Sequence, residues 1–174
     1  MEGKEIVLEE MLAFREKRAD FQQKLMQDTK APVISFSMNI PGPIKTNERI
    51  RKVFDLGKQE LMKQLQEQHI PCGHMIEIHE ACGDELLFSV HADPETVKDI
   101  TVGIEEQHPL GRLFDMDVID TDGKKLSRQV YRKCLICDRQ AQECARSRTH
   151  SVKEMQDAID ALINAHLPAG GQSR

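Results

Sequence analysis

The sequence predicts an α+β fold, with an antiparallel sheet built in a split β-α-β order and further helices toward the N- and C-terminal ends. Three observations carry this expectation. Short runs with period-two apolar alternation interleave with longer runs of helical periodicity, in the order strand, helix, strand, strand, helix, strand. Pro, Gly, Asp and Asn separate the runs where turns and caps need them. At 174 residues the chain has the length of one domain with a sizeable core, so 1–174 is expected to fold as one unit, with a flexible tail over about 168–174.

Residues Glu5 to Gln27 read as a helix, because Leu8, Leu12, Ala19 and Leu25-Met26 recur among charges with no Gly or Pro between. Its basic run Arg15-Glu16-Lys17-Arg18 is either a solvated face or a binding feature. Pro32 closes the segment, and Val33 to Ile40 then alternates as a half-buried strand. Pro41-Gly42-Pro43 breaks that strand. A second helix begins near Thr46 or Asn47, with Ile50, Val53-Phe54, Leu61 and Leu65 as its apolar stripe and Gly57 inside it. It stops by Pro71.

Met75 to Ala81 and Leu86 to Val90 read as strands joined by the turn Cys82-Gly83-Asp84-Glu85. Asp93 caps the next helix, Pro94 takes its first position, and Val97, Ile100 and Ile104 form its buried face. Leu113 to Ile119 is the last clear strand. Asp122-Gly123 signals a turn, from which Lys125 to Val130 is expected to return as a hairpin partner. Ser151-Val152-Lys153-Glu154 is a capping box that opens a final helix with Val152, Met155, Ile159 and Leu162 on its apolar face. The resulting order is ferredoxin-like or nucleotidyltransferase-like.

Composition narrows the function classes. With 39% hydrophobic and 30% charged residues the chain is globular rather than disordered, and with 4% aromatics and no Trp its core rests on Leu, Ile, Val and Met. A net charge of -5 argues against a general nucleic-acid binder, which needs a basic field. No stretch approaches the ~18 apolar residues that span a bilayer, and Met1 to Glu5 lacks an apolar signal core, so no membrane partner and a cytoplasmic location are expected. The five cysteines, three of them close together, suggest free thiols or a metal site before disulfides.

Three features carry candidate chemistry. Asp115 and Asp117 stand two apart in a strand, so both project from one face. Either they lie on a wet face, or they hold a cation such as Mg²⁺, which takes oxygen ligands and leaves positions open for phosphate oxygens. His108, Pro109, Gly111 and Arg112 form a polar turn just before them, where the Arg112 guanidinium suits a phosphate. The loop Ile40 to Lys45 enters a helix that carries Arg49 and Arg51, and is either an anion site or a rigid connection. It lacks the Gly-x-x-x-x-Gly-Lys-Ser/Thr pattern of a phosphate cradle. Finally, Cys134 and Cys137, with Cys144 and His150 beyond, can fill a tetrahedral zinc site, or the cysteines are reduced, partly buried thiols.

Four stretches together resemble the holo-citrate-lyase synthase family, the apo-citrate lyase phosphoribosyl-dephospho-CoA transferases. They are Arg15-Glu16-Lys17-Arg18, Ala31-Pro32-Val33-Ile34-Ser35-Phe36 with Pro41-Gly42-Pro43-Ile44-Lys45, the run His108 to Val118, and Cys134-Leu135-Ile136-Cys137 with Cys144-Ala145-Arg146 and Thr149-His150. They occur in family order over roughly residues 8 to 150. The resemblance implies transfer of the phosphoribosyl-dephospho-CoA prosthetic group from triphosphoribosyl-dephospho-CoA to a serine of the citrate lyase acyl carrier subunit, with diphosphate leaving. It implies a catalytic group of Asp115, Asp117 and Arg112, with Mg²⁺ on the aspartates. Lys45, Arg51, His108, Arg15 and Arg18 become candidates for the substrate. Polymerase-β-like nucleotidyltransferases place a Gly-Ser helix start before such an aspartate pair, and this chain contains no Gly-Ser dipeptide. Two other readings stand beside this one: the equivalent transferase for the malonate decarboxylase carrier, and a non-enzymatic zinc-binding subunit chaperone.

Overall fold

The computed structural model describes residues 1–167, so the expected tail over 168–174 lies outside the described residues. In chain order its elements are α1 (Leu8–Thr29), β1 (Val33–Met38), α2 (Glu48–Glu67), β2 (Cys72–Glu80), β3 (Gly83–Val90), α3 (Pro94–Gln107), a 3₁₀ turn (Gly111–Leu113), β4 (Phe114–Ile119), α4 (Ala141–Ser147) and α5 (Val152–His166). The strands lie in the spatial order β2-β3-β1-β4, and every neighbouring pair is antiparallel. Strand β3 sits between β1 and β2, and β1 sits between β3 and β4. These are the two split β-α-β units that the sequence predicts, with α2 and α3 as their crossovers.

Period-two alternation sorts the sheet into two faces. Ile34, Phe36, Leu86, Phe88, Phe114, Met116 and Val118 point one way and pack with Val53, Phe54, Leu61 and Leu65 of α2 and with Val97, Ile100 and Ile104 of α3. Phe36 stacks on Phe54 at 4.8 Å and meets Phe114 edge-on at 5.5 Å. Gly57 lets α2 come this close, since a Cβ there would lie 2.6 Å from Phe36 Cζ and 2.9 Å from Phe114 Cε1. On the opposite face α1 seats Phe14 and Leu25 against Val33, Ile78 and Leu87.

The caps place the helix starts. Asn47 Oδ1 accepts from the N–H groups of Arg49 and Ile50, and Asp93 accepts from that of Thr96. Ser151 and Glu154 close the expected capping box. Helix α1 starts at Leu8, later than Glu5, because the Ile6 N–H goes to Pro43 O and holds the preceding residues outside the helix.

Further departures from the sequence expectation have local causes. Strand β1 ends at Met38, because the Asn39 N–H leaves the ladder for Leu113 O at 2.8 Å. The β2–β3 connection shrinks to Ala81-Cys82, with Gly83 at φ +143° already in β3. Lys125 to Val130 does not form a strand. A single bridge pairs Ile119 with Lys125, and Leu126 N–H reaches Val118 O at 2.8 Å. Beyond that point side chains occupy the outer edge of β4. Glu105 Oε1 accepts from Met116 N–H at 2.6 Å, Lys98 Nζ donates to Met116 O at 3.4 Å, and Arg132 donates to Phe114 O.

Candidate active site and metal centre

Apolar Phe114, Met116 and Val118 commit one face of β4 to the core, so Asp115 and Asp117 emerge together on the other. The register shows what they emerge beside. Asp115 lies opposite Ser37 of β1, and Ser37 lies opposite Glu85 of β3. One step along, Asp117 lies opposite Ser35. The face therefore carries a row Glu85–Ser37–Asp115 with Asp117 next to it, and small serines separate the carboxylates, Ser35 accepting from Gln22 of α1 at 2.9 Å.

Burial pushes the Asp117 carboxyl upward and Asp115 adds to that, while Lys125, 2.5 Å away, and Lys98 act in the opposite sense. Glu85 is only 2% exposed. Burial drives its carboxyl up to about 7, against the pull of Arg18, and Asp115 and Asp117 push in the same direction as burial. Arg18 Nη1 donates to Glu85 Oε1 at 2.8 Å, whereas buried Oε2 has no hydrogen-bond partner among the described residues. Sequence reading placed Glu85 in a turn; only the register across three strands reveals its neighbours.

The aspartates floor a cavity of about 1280 Å³. Arg112, Lys98, Lys125, Arg128, Arg132 and Arg148 surround them, which makes the walls cationic over an acidic floor. Arg132 donates to Gly111 O at 3.0 Å and Arg112 O at 3.1 Å, fixing the turn that carries Arg112. Arg128 is tied to Glu105 and Glu106. Of the sequence-predicted residues, Asp115, Asp117 and Arg112 meet in this cavity. Cys134, Cys144 and His150 line it as well.

The other candidates lie elsewhere. Lys45 donates to Ile40 O at 2.8 Å, and its ammonium is pulled down by burial and then by Arg15. Arg51 pairs with Asp84, which is 1% exposed and also takes Thr46 and His79. His108 sits across the sheet on Phe114, its Nδ1 accepting from Leu110 N–H at 3.1 Å, and it lines a separate cavity of about 610 Å³ with Glu60. Arg18 reaches the carboxylate row from α1 through Glu85.

The cysteine cluster assembles as its spacing predicts. One ligand atom from each of Cys134, Cys137, Cys144 and His150 lies within 4.8 Å of the other three. Cys137 Sγ is 3.5 Å from Cys144 Sγ, too far for a disulfide, and 3.3 Å from His150 Nε2. A β-bridge between Lys133 and Gln140 closes the first loop, and α4 presents Cys144. Burial opposes ionisation of Cys134, yet hydrogen bonds from the backbone at Ile136 and Cys137 and from the neighbouring thiols bring it below the ordinary thiol range. Burial and then Cys137 and Cys134 push Cys144 up to about 11. A shared divalent cation suits this donor set.

Residues 6–166 match the family described as apo-citrate lyase phosphoribosyl-dephospho-CoA transferase. The chain belongs to this family. The apo-citrate lyase phosphoribosyl-dephospho-CoA transferase of Shigella boydii serotype 18 is 33% identical over 163 residues, covering 91% of this chain and 89% of the relative. The transferase of Escherichia coli O157:H7 and a probable one from Escherichia coli K12 match to the same extent, at 33% over 163 residues.

Both the aspartate floor and the Cys/His cluster fall inside the region matched by the apo-citrate lyase phosphoribosyl-dephospho-CoA transferase family. Among the described residues no helix is long and apolar enough to cross a membrane. For this family member the chemical capacity of the site is plain. Carboxylates hold hard cations, and guanidinium and ammonium groups around them hold phosphate oxygens.

Proposed function

We propose that this chain transfers the phosphoribosyl-dephospho-CoA group of triphosphoribosyl-dephospho-CoA to a serine of the citrate lyase acyl carrier subunit, releasing diphosphate. Family membership supports the transferase activity on apo-citrate lyase. The observation that supports the chemistry is the pair Asp115 and Asp117 on the floor of a large, cation-lined cavity. In the reaction the serine oxygen forms a bond to the phosphorus nearest the ribose. The bond from that phosphorus to diphosphate breaks, and the hydroxyl proton leaves to water.

Asp115 and Asp117 fit Mg²⁺, because two carboxylates share one face beside small serines and Asp117 already draws a lysine ammonium to 2.5 Å. Such an ion supplies neutralisation of the charge that builds on the phosphate oxygens. Arg112 and Arg148 contact the triphosphate from the walls, and Lys125 exchanges its aspartate for a phosphate oxygen as the substrate enters. A cavity of about 1280 Å³ is large enough for a bulky nucleotide-like group.

Zn²⁺ on Cys134, Cys137, Cys144 and His150 belongs to the same proposal in a structural role. It ties the loop, α4 and the start of α5 into the wall that faces the aspartates. Free cysteines throughout the chain fit a cytoplasmic location.

The decisive test incubates the protein with apo carrier, precursor and Mg²⁺ and reads the carrier mass. A gain of one prosthetic group is expected, with Asp115→Asn and Asp117→Asn inactive but folded. Full activity in both variants overturns the metal assignment. Preference for the malonate decarboxylase carrier in direct competition overturns the carrier assignment. Zinc without transfer favours the chaperone reading.

A further inference from the structure

We propose that Glu85 is a third carboxylate ligand of the cation held by Asp115 and Asp117, and that Arg18 occupies it until the cation binds. This rests on the metal reading of the two aspartates. The pairing register supplies the geometry. Glu85 and Asp115 flank Ser37 from the two neighbouring strands on the same face. Their Cα atoms are therefore roughly 10 Å apart, two strand spacings. Glutamate from one side and aspartate from the other can close that gap around an ion with oxygen ligands at about 2.1 Å. Ser37, the residue between, carries only a short hydroxymethyl side chain.

Burial and hydrogen bonding point the same way. Glu85 is 2% exposed and Oε2 has no hydrogen-bond partner among the described residues. A buried carboxylate oxygen left bare is destabilising unless something occupies it. On the β2 side the residue opposite Glu85 is Ile78, which offers nothing polar. The polar direction runs across Ser37 toward the aspartates. Arg18 satisfies only Oε1, at 2.8 Å, and is itself 28% exposed, so it can swing toward solvent as a cation takes its place on the carboxylate. An exposed pair, Lys17 of α1 with Glu80 of β2, already ties the same helix to the sheet.

The test is a titration of the full chain with Mn²⁺ alone, followed by electron paramagnetic resonance. Glu85→Gln keeps the shape of the side chain and is expected to weaken Mn²⁺ at least tenfold. Arg18→Gln removes the competitor and is expected to tighten Mn²⁺ severalfold, a gain that removal of a charge paired elsewhere on the same helix, Lys17→Gln, does not give. Wild-type affinity in Glu85→Gln beside its loss in Asp115→Asn overturns this proposal and leaves the aspartate reading intact. Wild-type affinity in Asp115→Asn and Asp117→Asn, or no binding by the wild type, overturns both. If Glu85→Gln does not fold, Arg18→Gln decides, and unchanged or weaker binding overturns the proposal.

Discussion

The two faces of the sheet are built on opposite logics. Under α2 and α3 the strands β1 and β4, with Leu86, Phe88 and Val90 of β3, turn apolar side chains inward, three phenylalanines interlock at 4.8 and 5.5 Å ring separations, and at one end buried Asp84 pairs with Arg51 and His79. On the other face α1 covers β1 and β3 with a small apolar cluster, and the strip along β1 and β4 carries serines and carboxylates. The first face supplies rigidity through close packing. The second gathers its carboxylates along β3, β1 and β4, where Arg18 and cations from the 125–148 segment stand over them. Dry packing backs β4 from behind while its front face carries the charged groups.

That contrast can be broken deliberately. The largest effect is expected on the front face: Asp115→Asn or Asp117→Asn should lower transfer by about 10³-fold or more, read by carrier mass, with the melting temperature held or raised because repulsion is relieved. Next comes the wall. Cys137→Ser should remove stoichiometric zinc from the purified protein and weaken precursor use on the order of 10²-fold, since the arginines it helps to place drift from position. Metal analysis and steady-state kinetics together check this, and retention of zinc would count against the ligand set. The rear face gives a smaller and different response. Gly57→Ala should cost about 1–3 kcal/mol in denaturant unfolding from the clash with Phe36 and Phe114, at little change in transfer per folded molecule. Smallest is Asn47→Ala, about 1 kcal/mol from loss of the α2 cap.

The same contrast explains what could be read from the sequence. Element order, the split topology, the caps at Asp93 and Ser151, the aspartate pair and the Cys/His spacing are local or periodic signals, and the structure carries them all. Cavity neighbours are not local. His108 precedes Asp115 by only a few residues, yet the 3₁₀ turn between them carries the chain from one face to the other. Lys45 and Arg51 are spent on Ile40 O and Asp84. Conversely Arg148 and Arg132 arrive from a segment whose periodicity predicts no fixed place, and Glu85 becomes visible only when β3 is laid beside β1 and β4. The missing hairpin strand has the same origin, since Glu105, Lys98 and Arg132 compete for the β4 edge through side chains that no backbone propensity reports.

Those three side chains have a consequence for how another protein can approach. A free sheet edge invites strand addition, by a client or by a second copy of the same chain. Here the edge nearest the aspartates is sealed at Phe114, Met116 and Val118. A polypeptide presenting its hydroxyl to this site cannot zip onto β4 and slide into register. On the proposed reading the acceptor would be offered on a projecting segment through the mouth of the cavity. Geometry of that kind selects for the shape of the visitor rather than for a sequence able to pair.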